Sequence, residues 1–205
     1  SQSYLVFWDK VERANIFYDR IVRTADQPVG SREVAAILNN PGGDGGQWAM
    51  GASLVQKYGV VPVSAMPESF NTNDTTGFAA TFNLKLRKDA LVLRDLVADQ
   101  ASEEQIAATR AQALKEVYRM AAYSFGEPPT TFDLEYKDDN QQYHRDAGLT
   151  PQGFFEKYFD VDLDDYVVIS NLPDKTFNHR YRLESQENIV GGQQITFLNL
   201  QLAEL

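Results

Sequence analysis

From residue 4 to residue 21, apolar side chains recur at Tyr4, Phe7, Val11, Ala14, Tyr18 and Ile21, flanked by Trp8 and Phe17, while Asp9, Lys10, Glu12, Arg13 and Asp19 fall elsewhere. That spacing predicts an amphipathic helix with a wide apolar stripe and its charges off the stripe. Pro28 and Gly30 end the connection, and Ser31 is placed to cap a short second helix through Leu38. Asn40-Pro41-Gly42-Gly43-Asp44-Gly45-Gly46 must be a loop, followed from Gln47-Trp48 by a helical run that closes at Tyr58 with Gly59 as its C-cap. Val60 to Asn73, with Pro62 and Pro67, reads as extended and irregular. A helix is predicted from Ala79 to Val97, and Ser102 with Gln105 is a capping-box signature opening another, with Ala107, Ala111, Leu114, Val117, Tyr118 and Ala121 on one face. Together they predict an antiparallel helical hairpin. After Gly126-Glu127-Pro128-Pro129 the texture changes, and Thr131 to Tyr136 alternates with strand period. Thr150-Pro151 starts a short helix, Tyr166 to Ile169 reads as a buried strand, and Gln194 to Leu198 as another. The fold class expected is α+β, mainly α.

The composition narrows the chemistry. Among 205 residues there is no cysteine, which excludes disulfides, thiolate metal sites and a cysteine nucleophile within this chain. Nineteen basic against 29 acidic side chains give a net charge of −10, which argues against non-specific nucleic-acid or anionic-membrane binding. Apolar runs such as Tyr166 to Ile169 are far too short to span a bilayer, and no charged-then-apolar signal peptide opens the chain. A helical pattern begins almost at Ser1, and the chain stops at Leu205 soon after a strand pattern, so both ends are expected to be cut from something larger.

Local signatures of hydrolytic chemistry are absent. There is no Gly-x-Ser-x-Gly elbow, no Ser-x-x-Lys, no His-Glu-x-x-His and no phosphate-binding loop ending in Lys-Ser/Thr. His144 and His179 lie in polar stretches, where a histidine is ordinarily solvated. Asp160, Asp162 and Asp164 alternate like half of a calcium loop, but Asp165 stands where glycine is needed and Asn171 where a bidentate Glu is needed. Adjacent pairs such as Glu103-Glu104, Asp138-Asp139 and Asp164-Asp165 point apart and make poor acid and base partners. The feature that stands out is Asp44-Gly45-Gly46-Gln47-Trp48. Paired glycines before a helix allow another chain to approach closely and hydrogen-bond the main chain in strand-like fashion. A tight turn is the equal alternative, although it does not explain why the loop needs four glycines.

Gly42-Gly43-Asp44-Gly45-Gly46-Gln47-Trp48, with Leu54 to Pro62 and Met66-Pro67-Glu68-Ser69, resembles the bleomycin hydrolase and aminopeptidase C family of papain-like cysteine peptidases. Ser1 to Lys10, Gly126 to Phe132, Leu149-Thr150-Pro151 and Asn188 to Gly192 extend the resemblance over nearly the whole chain. It implies a papain-like core with an inserted helical arm that builds a hexamer. Residues 1–70 would hold the helical half with the glycine-rich loop, residues 71–145 the arm, and residues 146–205 a return segment toward the β half. It also implies a cytoplasmic thiol aminopeptidase that clips N-terminal residues from peptides without metal or other cofactor. Asp44, Gly45, Gly46, Gln47 and Trp48 would then bind the substrate. The family's catalytic cysteine, oxyanion glutamine, histidine and asparagine have no match here, so no catalytic residue is carried over. The first expectation is therefore a segment of such an enzyme, inactive alone. The rival is a non-enzymatic peptide-binding or assembly module, and a weaker third is a carboxylate-based hydrolase. Residues 71–145 carry 9 basic and 12 acidic side chains, which argues against a nucleic-acid channel.

Overall fold

The computed structural model describes residues 1–183 and 187–204. Helix α1 (Gln2–Arg23) forms as its stripe predicts, with Tyr4, Phe7, Ala14, Phe17, Tyr18 and Ile21 buried and Val11 half-buried. Its first N–H groups would otherwise lack partners. The Glu68 carboxylate accepts from the N–H of Gln2 at 2.7 Å and of Ser3 at 2.8 Å, and Ser1 Oγ accepts from Tyr4 N–H at 3.4 Å. Burial pushes the Glu68 carboxyl up, but these N–H groups outweigh it and hold the group below the usual carboxylate range. Two charges expected off the stripe are not in water: Lys10 and Glu12 are both buried. Each meets an oppositely charged partner brought in by a distant segment, as described below.

Short helix α2 (Arg32–Asn39) is capped by Ser31, and α3 (Trp48–Tyr58) ends at Gly59. Gly59 has φ +72° and ψ −159°, and a Cβ there would lie 2.2 Å from the Pro151 carbonyl carbon. Only glycine fits. The segment expected to be irregular up to Asn73 ends instead in one helical turn, α4 (Phe70–Asn73), because Ser69 and Thr72 exchange reciprocal capping bonds. Helices α5 (Thr76–Ala98) and α6 (Glu103–Phe125) pack on α1 as well as on each other. Phe78, Phe82, Leu86 and Leu93 of α5 and Ala113, Val117, Ala121 and Phe125 of α6 share one apolar core with the α1 stripe. The buried face of α6 is rotated from the expected one, leaving Ala107 and Ala111 exposed, because α1 covers α6 from one side.

Strand β1 (Phe132–Lys137) pairs antiparallel with β2 (Tyr143–Leu149), an element the hydrophobic pattern does not reveal. Most of the hairpin is exposed on both faces, so no alternation marks the second strand. Helix α7 (Pro151–Tyr158) follows, capped by Thr150. A small sheet has the order β3 (Ile169–Ser170), β5 (Thr196–Asn199), β4 (His179–Arg182), with β3 parallel and β4 antiparallel to β5. Tyr166 to Ile169 is not a buried strand: Tyr166, Val167 and Ile169 are more than half exposed, since β3 is a two-residue edge that pairs with β5 alone among the described strands. No described helix is long and apolar enough to cross a membrane.

Candidate functional site

The glycine-rich loop joins α2 to α3 and is held from both sides. From α5, Asn83 Oδ1 accepts the Gly42 N–H at 2.8 Å, and Arg87 donates to the carbonyls of Leu38 at 2.9 Å and Asn39 at 2.6 Å. From α1, the buried Lys10 ammonium binds the Asp44 carboxylate and lies 3.4 Å from the Gly42 carbonyl. Thr75 Oγ1 donates to the other Asp44 oxygen at 2.6 Å. Burial raises the Asp44 carboxyl, but the Lys10 and Thr75 bonds outweigh it and hold the group below its ordinary value. Arg13 Nη2 completes the anchorage with a 2.7 Å bond to the Gly45 carbonyl.

The four glycines have different reasons. None has a positive φ, so left-handed backbone is not what they supply. A Cβ on Gly42 would strike the Phe82 ring at 2.4 Å, and one on Gly43 would strike Asn40 Nδ2 at 2.4 Å. Packing inside the chain therefore accounts for Gly42, since Phe82 is fully buried, whereas at Gly43 the contact is with the tip of the exposed Asn40 side chain, which is free to turn away. Gly45 has nothing within 4 Å of the Cβ position, and Gly46 has only ordinary contact, with Met50 Sδ at 3.5 Å. Both are exposed, and no described residue hydrogen-bonds the Gly46 N–H or C=O. Nothing in the described residues demands glycine at 45 or 46.

Of the five residues expected to touch substrate, Gly45, Gly46, Gln47 and Trp48 form one exposed strip, with Trp48 43% exposed and its ring 4.7 Å from that of Tyr166. Asp44 is different: both its oxygens are engaged within the chain. Beside the strip lies a cleft of about 360 Å³ whose lining includes Arg13, Phe17, Ile37, Gly45, Met50 and Asn188.

The residues that sequence reasoning missed form a polar ridge on α1. Asp9 Oδ1 accepts from Asn188 Nδ2 at 2.9 Å, and Glu12 Oε1 accepts from Lys57 Nζ at 2.7 Å and from the Tyr58 hydroxyl. Burial, followed by the bond to Glu12, pushes the Tyr58 hydroxyl above the usual tyrosine range, and its ring stacks on Trp8 at 4.0 Å. Gly192 is close-packed on Ile189, while the Gln193 N–H donates to Ser53 Oγ at 2.8 Å. One turn and a half of α1 thus ties together the glycine loop, the end of α3 and the segment around Asn188.

The histidines are not brought to this site. His144 lies in the β1–β2 hairpin, bonded to Asp138 at 2.9 Å and stacked on Tyr136, and His179 is exposed at the start of β4. The acidic stretch forms a short 3-10 turn, with Asp162 accepting from the Asp164 N–H at 2.9 Å. Among the described residues, no group of three or more acidic, histidine or cysteine side chains is placed to hold a metal.

Comparison with known proteins places this glycine loop and cleft in a family. The model of the Peptidase C1-like family matches residues 1–205, and the chain belongs to that family. It is 53% identical to Aminopeptidase G of Lactobacillus delbrueckii subsp. lactis and 52% identical to Aminopeptidase E of Lactobacillus helveticus, in each case over 100% of this chain and 47% of the relative. It is 43% identical to Aminopeptidase C of Lactobacillus delbrueckii subsp. lactis. The crystal structure of PepW from Lactobacillus rhamnosis HN001 superposes with a TM-score of 0.96 at 50% identity, covering 100% of this chain and 46% of that one. The fold is thus papain-like, and the chain spans about half the length of the relatives it matches.

Proposed function

We propose that this chain is the substrate-cradling segment of a cysteine aminopeptidase that removes N-terminal residues from peptides. The observation that carries the proposal is the exposed Gly45-Gly46 pair, for which no described residue demands glycine and whose Gly46 N–H and C=O have no partner among the described residues. A peptide lying along it is held by backbone bonds that do not depend on its side chains. Gln47 and Trp48 border the peptide, and Asp44 fixes the loop through Lys10 and Thr75. Relatives named as aminopeptidases, matched over the full length of this chain, support the reading. With no cysteine in these residues, the thiolate nucleophile comes from the rest of the complete polypeptide.

The reading extends to a cytoplasmic homo-oligomer that needs no cofactor, as the family resemblance implies. Residues 71–145 serve assembly, for which the exposed Leu84, Leu91 and Val92 of α5 offer apolar surface. Residues 1–70 carry the loop, and residues 146–205 return toward the β half.

The test is hydrolysis of aminoacyl-4-nitroanilides by the complete polypeptide. Release of nitroaniline that iodoacetamide abolishes and that chelators leave unchanged is the expected result. Activity insensitive to thiol alkylation contradicts it. A second reading, peptide binding without catalysis, predicts instead that the complete polypeptide binds short peptides and hydrolyses none.

A further inference from the structure

We propose that Arg13, oriented by Asp9, is a positioning residue that presets the Gly45–Gly46 peptide plane so that the Gly46 N–H faces the substrate. The inference rests on the cradle reading above and deepens it.

Asp9 and Arg13 stand one helical turn apart on α1. Arg13 Nε lies 2.9 and 2.7 Å from the two Asp9 oxygens, while Nη2 reaches the Gly45 carbonyl at 2.7 Å. Asp9 is itself held, by Asn188 Nδ2 at 2.9 Å and Lys10 Nζ at 3.4 Å. Both side chains are largely withdrawn from water, 16% exposed for Arg13 and 15% for Asp9. A planar guanidinium with donors at fixed angles, locked at one end, gives the carbonyl at its other end a fixed direction.

The consequence follows from peptide geometry. In a planar trans peptide the C=O and the next N–H point in opposite directions. With the Gly45 C=O turned toward α1, the Gly46 N–H is turned away from α1, and no described residue accepts from it. Two adjacent glycines are otherwise the most mobile backbone a chain can offer, and a peptide docking on them would have to order them first. Arg13 removes that ordering cost before the substrate arrives. A lysine at 13 could reach Asp9 or the Gly45 carbonyl, but its single ammonium has no fork to hold both in one plane.

The experiment compares wild type, Arg13→Met, Arg13→Lys and Gly46→Val in the complete polypeptide. The readouts are KM, kcat and hydrogen–deuterium exchange of a proteolytic peptide covering residues 42–48. The expected result for both Arg13 variants is faster exchange in that peptide, a KM raised roughly tenfold and a kcat changed less than about twofold, the size expected when one charge-assisted bond is lost. Arg13→Lys is not expected to rescue. Arg13→Lys keeps the charge and most of the stem, so it carries the test if Arg13→Met fails to fold. Unchanged exchange at 42–48, or full rescue of KM by lysine, overturns the positioning role. If Gly46→Val raises KM while the Arg13 variants do not, the positioning inference fails and the cradle stands. If neither change moves KM, the cradle reading itself has failed and this inference with it.

Discussion

Lys10 shows where reading residues one at a time reaches its limit. Its place off the apolar stripe of α1 marks it as a solvated charge, yet it is 1% exposed. A buried ammonium persists only with partners, and its main partner, Asp44, is 34 residues away in sequence. Glu12 is the same case, meeting Lys57 and Tyr58. No spacing rule finds such pairs, because the helix pattern records which face is apolar and not which charges the fold will cover. The pairing predicts an asymmetry. Asp44→Ala leaves Lys10 buried and is expected to cost about 3 kcal/mol, near the low end for a broken buried pair because Asp9 remains near. Lys10→Met leaves Asp44, about half exposed, free to be hydrated, and is expected to cost less. Urea unfolding measures both. Because the folded Asp44 carboxyl is depressed, its contribution is fully present above the unfolded value of about 3.9 and disappears as pH falls through the lower folded one. The Asp44→Asn deficit is therefore flat from about pH 6 to 8 and closes only below about pH 4.

Most helices were legible as elements because their signals are local. Stripe, cap and glycine stop identify α1, α3 and α6, and the Thr150-Pro151 start identifies α7. The strands were less so. Strand β2 has little buried face to produce alternation, and β3 is a two-residue edge whose apolar neighbours stay exposed. Gly59 was legible as a C-cap but not for its second reason, the Pro151 backbone pressed against it, where the Val60 N–H also reaches the Pro151 carbonyl at 3.2 Å. Gly59→Ala is expected to cost more than about 3 kcal/mol, since the backbone strain alone is of order 1–3 kcal/mol and the steric clash adds to it. A thermal melt checks this, and a change under about 1 kcal/mol would mean that α3 and α7 do not meet there.

Across the whole molecule, one core built from α1, α5 and α6 supports the glycine loop. Phe82 joins the two, being fully buried and in contact range of the Gly42 Cβ position. The sequence singled out the loop but left two explanations level, a tight turn and a cradle. Cβ contacts separate the glycines: Gly42 serves packing against Phe82, Gly43 meets only the tip of the Asn40 side chain, and Gly45 and Gly46 are exposed with no close contact at the Cβ position. What remained hidden was the α1 ridge beneath them, whose parts are joined only by folding. The central claim, that Gly45 and Gly46 receive a peptide backbone, is tested most directly by steady-state kinetics of Gly46→Val in the complete polypeptide, with its melting temperature measured alongside. The account predicts a KM raised roughly tenfold or more, or turnover abolished, with the melting temperature within about 4 °C of wild type. Unchanged KM and kcat in a folded variant would contradict it.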